Sequence, residues 1–124
     1  MEKLISYLFH SQTQVHIFHL QTTSFAEHKA LQGYYEGIDG LIDGLVETYQ
    51  GKYGIINGYT TFQMLGYTNK QQVITYFEAL AKTVSILRQP VEDSYLQNQI
   101  DEIMALIEST LYKLKYLNWD PTKI

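Results

Sequence analysis

The chain has 124 residues, 45% of them hydrophobic, with a formal net charge of −4 and no cysteine. That length and apolar content suit one domain with one core and argue against disorder, while the missing thiols exclude disulfides and thiolate metal sites. Nine basic against thirteen acidic residues, without a basic run, disfavour nucleic-acid binding; no long uncharged apolar stretch suggests a signal peptide or membrane span, so a soluble cytoplasmic protein is expected.

Apolar periodicity predicts four long helices. The first, about 2–20, sets Leu4, Ile5, Leu8, Val15 and Phe18 on one broad face, with polar Gln12 and Gln14 between. Ser24 and Glu27 then have the spacing of a capping box, in which the serine oxygen and the glutamate each take an orphan backbone N–H. A second helix starts there and is expected to run to about Gln50, with Gly51 as its stop. The next stretch, GKYGIINGYTTFQMLGY, reads as a loop holding a short helix around 61–65. Thr68 and Gln71 offer another capping box for a third helix, about 69–88, striped by Val73, Phe77, Leu80, Val84 and Leu87 and ended by Pro90. The fourth, about 91–117, carries Leu96, Ile100, Ile103, Met104, Ile107, Leu111, Leu114 and Leu117, and Pro121 follows it. Glu92, Asp93, Asp101 and Glu102 lie near its start, where acids favour the helix dipole. Two short connections and one long one make an all-α four-helix bundle, a single domain over 1–124, with a long crossover between the second and third helices.

Within the second helix, EGIDGLIDGLVE (36–47) contains two Asp-Gly pairs, a strong turn signal elsewhere. An EF-hand is excluded, because counting from Asp39 puts Leu41 at the third loop position and Gln50 at the twelfth. Turns are excluded by Leu31, Tyr35, Ile38, Leu41, Ile42, Leu45 and Tyr49, which keep one apolar face through both pairs. In the resulting helix Gly33, Gly37, Gly40 and Gly44 fall within roughly 60° of one another, a stripe of bare backbone. Each costs about 1 kcal/mol against alanine, so close approach of another helix is expected, either across a subunit interface or within the chain. A third face carries His28, Asp39, Asp43 and Glu47. The Asp43 and Glu47 carboxylates, at i and i+4, can converge on one cation, or stand as a solvated acidic face. His28 precedes Asp43 by fifteen residues, about 22 Å of helix. The two can share a metal only between chains, if this helix meets its own copy antiparallel across a two-fold axis.

The stretch HIFHLQTTSFAEHKALQGYYEGIDGLIDGLVE, residues 16–47, resembles the core of the Dps family, the ferritin-like mini-ferritins. That family's pattern is a pair of histidines three apart, a loop phenylalanine, a second histidine ligand, an aspartate fifteen residues on and a glutamate four further. Here these correspond to His16 and His19, Phe25, His28, Asp43 and Glu47. MALIESTLYKLKYL is similar to the family's last helix. Leu20 stands where the family has tryptophan, and Gln32 where it has another acid. The resemblance implies a ferritin-like four-helix bundle and a homo-oligomer, at least a two-fold dimer, with the family's dodecamer as the larger assembly. It also implies an inter-subunit iron site, in which His19 and His28 of one chain, with His16 as the alternative to His19, act with Asp43 and Glu47 of the mate. Such a site oxidises Fe(II), a ferroxidase activity. Shortness and the lack of the family's basic tail make this similar to a reduced, bacteriophage-type branch, for which DNA protection is not implied.

No Glu-x-x-His pair is present, which leaves a classical ferritin site inside one chain unsupported, and no Ser/His/Asp signature indicates a nucleophile. His10 and His16 read individually as surface or capped histidines. The eleven tyrosines could line a pocket or an interface, or sit at the core edge with solvated hydroxyls. The alternative function is a metal-free helical oligomer acting as a binding or scaffolding module for a small ligand or partner protein.

Overall fold

A computed structural model describes residues 1–118, and Pro121 lies outside them. These residues form four helices and no strand: α1 (Glu2–Gln21), α2 (Phe25–Tyr53), α3 (Lys70–Arg88) and α4 (Ser94–Tyr116). No helix among them is long and apolar enough to cross a membrane. The stripes read from periodicity form one core. Leu4, Ile5, Leu8, Val15 and Phe18 of α1 close on Leu31, Tyr34, Ile38, Ile42 and Leu45 of α2, and on the apolar faces of α3 and α4. Its aromatic centre is Tyr34 edge-on to Phe77, with ring centroids 5.0 Å apart.

Cross-helix pairs set the directions. Ser11 meets Tyr34 and His19 meets His28, so α1 and α2 are antiparallel. Lys113, Leu106 and Gln99 face Gly33, Gly37 and Gly44, which makes α4 antiparallel to α2. Arg88 with Asp101 and Glu78 with Lys115 do the same for α3 and α4.

Several expected boundaries move. α2 passes through Gly51 and ends at Gly54, whose φ of 93° is the left-handed conformation that glycine adopts without a Cβ penalty. Gly51 faces no such demand, and the preceding periodic pattern carries the helix over it. The short helix expected at 61–65 is absent; residues 54–69 contain no helix at all. The second capping box is one residue later than expected: Asn69, not Thr68, is the N-cap and accepts from Gln72 N at 2.8 Å, while Gln72 Oε1 accepts from Thr68 N. Half of the first box forms, with Ser24 Oγ accepting from Glu27 N at 3.2 Å. The Glu27 carboxylate instead takes the Tyr67 hydroxyl, at 3.0 and 3.2 Å, because the buried end of α2 lies beside the 54–69 segment. α4 starts at Ser94, so Asp101 and Glu102 lie beyond its first turn; Asp101 pairs with Arg88. Asp93 makes no side-chain cap and binds Lys52 and Tyr53, which together hold its carboxyl below its ordinary value.

The 54–69 segment is a strap held chiefly by α1 side chains. Thr60 N donates to Ser6 Oγ, His10 Nε2 to Gln63 O, and Tyr67 N to Gln21 Oε1. Gln14, fully buried, donates to Leu65 O and accepts from Leu65 N, both at 2.7 Å. Thus Gln14, read from sequence as a polar residue between apolar ones, is a clamp.

The glycine stripe divides. A Cβ at Gly37 would lie 3.3 Å from Leu106 Cδ2, and Gly44 O accepts from Gln99 Nε2 at 3.3 Å. Part of the stripe therefore borders α4 within the chain. Gly40 would meet nothing within 4 Å. Gly40→Ala is expected to stabilise the protein by about 0.5–1 kcal/mol, and Gly54→Ala to destabilise it by about 1 kcal/mol. Urea midpoints measure both; a destabilising Gly40→Ala would mean that another surface already sits on that turn.

Candidate functional site

The three-residue link between α1 and α2, Thr22–Ser24, turns the chain sharply enough to bring the last turn of α1 against the first turn of α2. His19 and His28 meet across this corner. Their rings stack with centroids 3.7 Å apart and planes 19° from parallel. His19 Nδ1 lies 2.7 Å from the backbone O of His28, and His28 Nδ1 lies 3.0 Å from the backbone O of His19. A carbonyl only accepts, so each Nδ1 carries the proton and donates. The tautomers follow: in the neutral rings both Nε2 atoms are bare lone pairs. Ligating histidines are held in this way, with one nitrogen fixed by a carbonyl and the other free to bind.

Around the pair stand Tyr35 and His16. The Tyr35 hydroxyl is 3.4 Å from His19 Nε2, and its ring stacks on that of His16, centroids 4.2 Å apart. His16 itself is exposed, 6.0 Å from the His19 ring. Phe25, at the start of α2, has its ring centroid 6.4 Å from that of His28.

Asp43 and Glu47 lie on the exposed face of α2, two to three turns beyond Tyr35, and neither forms a hydrogen bond or ion pair among the described residues. Asp39, on the same helix, accepts from Gln12 Nε2 at 3.1 Å. The structure thus joins His19 to His28, with His16 near, and leaves the carboxylates apart from them in the same chain. Among the described residues no group of three or more His, Asp or Glu side chains could hold a metal ion. Any site using both sets needs a second chain.

A family described as "Family of unknown function (DUF5856)" matches residues 19–114. The chain belongs to that family. The match takes in His19, His28, Asp43 and Glu47 and begins after His10 and His16. No curated protein and no solved structure matches the chain.

In this DUF5856 chain, sequence reasoning missed the part played by Tyr35. It had placed Tyr35 on the apolar face, yet the residue follows His28 by seven, two helical turns, and such spacing returns a side chain to nearly the same side. It also missed what His10 does. The His10 ring bridges the strap and α3, with Nε2 donating to Gln63 O at 3.0 Å and Nδ1 accepting from the Tyr76 hydroxyl at 2.9 Å. Both ring nitrogens are thereby engaged, so His10 belongs to the fold and not to a metal site.

Proposed function

We propose that this protein is a Dps-like, iron-binding mini-ferritin that oxidises Fe(II) at a site shared between two chains. The observation that carries the reading is the reciprocal His19–His28 pair, whose Nδ1 protons are committed to backbone carbonyls, so that both Nε2 atoms keep their lone pairs, that of His19 facing only the Tyr35 hydroxyl at 3.4 Å. Two imidazoles with two carboxylates form a donor set suited to Fe(II). His19 and His28 of one chain would act with Asp43 and Glu47 of the two-fold mate. The open turn at Gly40, beside exposed Asp39 and Asp43, supports close approach of the mate along this face, with Gly33, Gly37 and Gly44 flanking it. The ferritin-like path, with a long crossover between α2 and α3, belongs to the same proposal. It is supported by the strap's successive bonds to Ser6, His10, Gln14 and Gln21, which climb α1 from its N-terminal to its C-terminal end.

Iron is here a substrate. Two Fe(II) ions each give one electron to a peroxide, which takes up two protons and leaves as two waters. The chain's contribution is to orient the imidazoles by backbone carbonyls, supply the negative charge that favours Fe(III), and keep the histidine end partly buried.

The test is anaerobic titration of metal-stripped protein with Fe(II), beside Asp43→Ala, followed by peroxide while ferric absorbance is recorded. Saturable binding and fast oxidation, both lost in Asp43→Ala, are expected. Identical behaviour of the two proteins would sink the iron reading. It would favour a metal-free binding module instead, for which the apolar groove of about 720 Å³ lined by Phe25, Ala26, Ala30 and Leu117, with Lys29 and Lys113 at its sides, is the specific supporting feature.

A further inference from the structure

His19 is buried, and a bare imidazole nitrogen inside a protein is an acceptor that must find a donor or cost stability. Its Nδ1 is committed to the His28 carbonyl. The hydroxyl 3.4 Å from Nε2 belongs to Tyr35, and with Nε2 bare the phenol must be the donor. The tyrosine ring is fixed from two sides: edge-on to His19, with centroids 5.0 Å apart and planes 72° apart, and stacked on His16, 18° from parallel. The coordinating lone pair of the more buried histidine is thereby covered by a side chain held in place by the exposed one.

We propose that Tyr35 is a gate on the metal-binding nitrogen of His19, and that His16 positions this gate instead of binding metal. The proposal rests on the iron reading given above. In the metal-free protein the Tyr35 O–H satisfies His19 Nε2; an incoming metal must displace that hydroxyl before the nitrogen can coordinate. No proton is gained or lost, because the phenol only exchanges one acceptor for another, water or a group of the facing chain. The gate therefore raises the threshold for every metal alike and selects among them only by how much each gains from the imidazole. It also keeps the buried end of the site from standing as an unpaired acceptor while empty. His16 contributes through its ring face alone.

The experiment is anaerobic Fe(II) titration calorimetry on four proteins: the native chain, Tyr35→Phe, His19→Ala and the double variant. Tyr35→Phe keeps the ring, and so the stacking on His16, but removes the hydroxyl. It should bind Fe(II) at the native stoichiometry and roughly two- to tenfold more tightly, the factor corresponding to one modest hydrogen bond no longer displaced. On the His19→Ala background, where there is no lone pair to cover, removal of the hydroxyl should change nothing; a merely structural role for Tyr35 would persist there. Unchanged affinity in Tyr35→Phe overturns the gate. Weaker binding overturns it too, and makes the phenol oxygen a ligand. The native chain separates this failure from failure of the underlying reading: native binding abolished by Asp43→Ala upholds the iron site whatever Tyr35→Phe does, whereas no saturable binding by any of the four proteins removes both.

Discussion

Gln14→Ala is expected to lower stability by about 2–4 kcal/mol and the thermal midpoint by roughly 10 °C. The substitution removes a fully buried amide and strands two backbone groups of the strap, Leu65 N–H and C=O, each held at 2.7 Å. Orphaning a buried polar group costs about 1–3 kcal/mol. Leu65 is itself half exposed, so water reaches part of the vacated place and the lower half of that range applies to each group. The informative companion is Gln14→Glu. An ionised glutamate can still accept from Leu65 N but can no longer donate to Leu65 O. A protonated one can do both, so this variant should regain stability as pH falls through the raised pKa expected of a buried carboxylate. Thermal melts of both variants between pH 4 and 8 are the measurement. If Gln14→Ala melts within about 2 °C of the native chain, the clamp contributes little to stability.

The second large effect lies at alkaline pH. Tyr34 and Tyr76 are phenols whose burial pushes their pKa well above the ordinary value. Each hydroxyl has a specific buried role: Ser11 Oγ already donates to Leu8 O, so Tyr34 donates to Ser11, and Tyr76 donates to His10. The unfolded chain loses these protons near pH 10 while the folded chain retains them. The folded state then holds more protons than the unfolded one. Stability contributed by the neutral phenols is complete below pH 10 and is lost as pH rises through the interval up to their folded-state values, at about 1.4 kcal/mol per pH unit for each. By pH 11 the two together should cost nearly 3 kcal/mol. Urea unfolding of the native chain and of Tyr34→Phe from pH 9 to 11 checks this: the variant should start slightly less stable and then fall about half as steeply. A native stability that stays flat between pH 9 and 11 would contradict it.

How far the sequence was legible depends on the range of the interaction concerned. The four helices were readable because each carries its apolar stripe within itself, and Val73, Phe77, Leu80 and Val84 are all buried as their spacing requires. The C-terminus of α2 was misjudged because glycine permits a stop without imposing one; of Gly51 and Gly54, it is Gly54 that takes the positive φ. The missed clamp and the diverted Glu27 carboxylate share another cause. Both depend on residues 40 to 51 positions away, Leu65 and Tyr67, which no local window contains. The His19–His28 pair lay between these extremes: its residues stood out by type and spacing, but the reciprocal carbonyl bonds that set their tautomers follow from the tightness of a three-residue corner.

The strap has a consequence for the order in which the molecule assembles. The α1–α2 corner joins residues nine apart, whereas the strap's bonds to Ser6, Gln14 and Gln21 close loops of 54, 51 and 46 residues. Short closures are quick and long ones slow. The histidine corner should form early, and the strap should dock only after α1 and α2 are already paired. Because the strap contributes no helix and few buried side chains, it can also detach while the bundle stays intact. Amide hydrogen exchange would then divide the chain into two populations. Thr60, Leu65 and Tyr67 would exchange together through a shallow opening, and the core of α2 only through global unfolding.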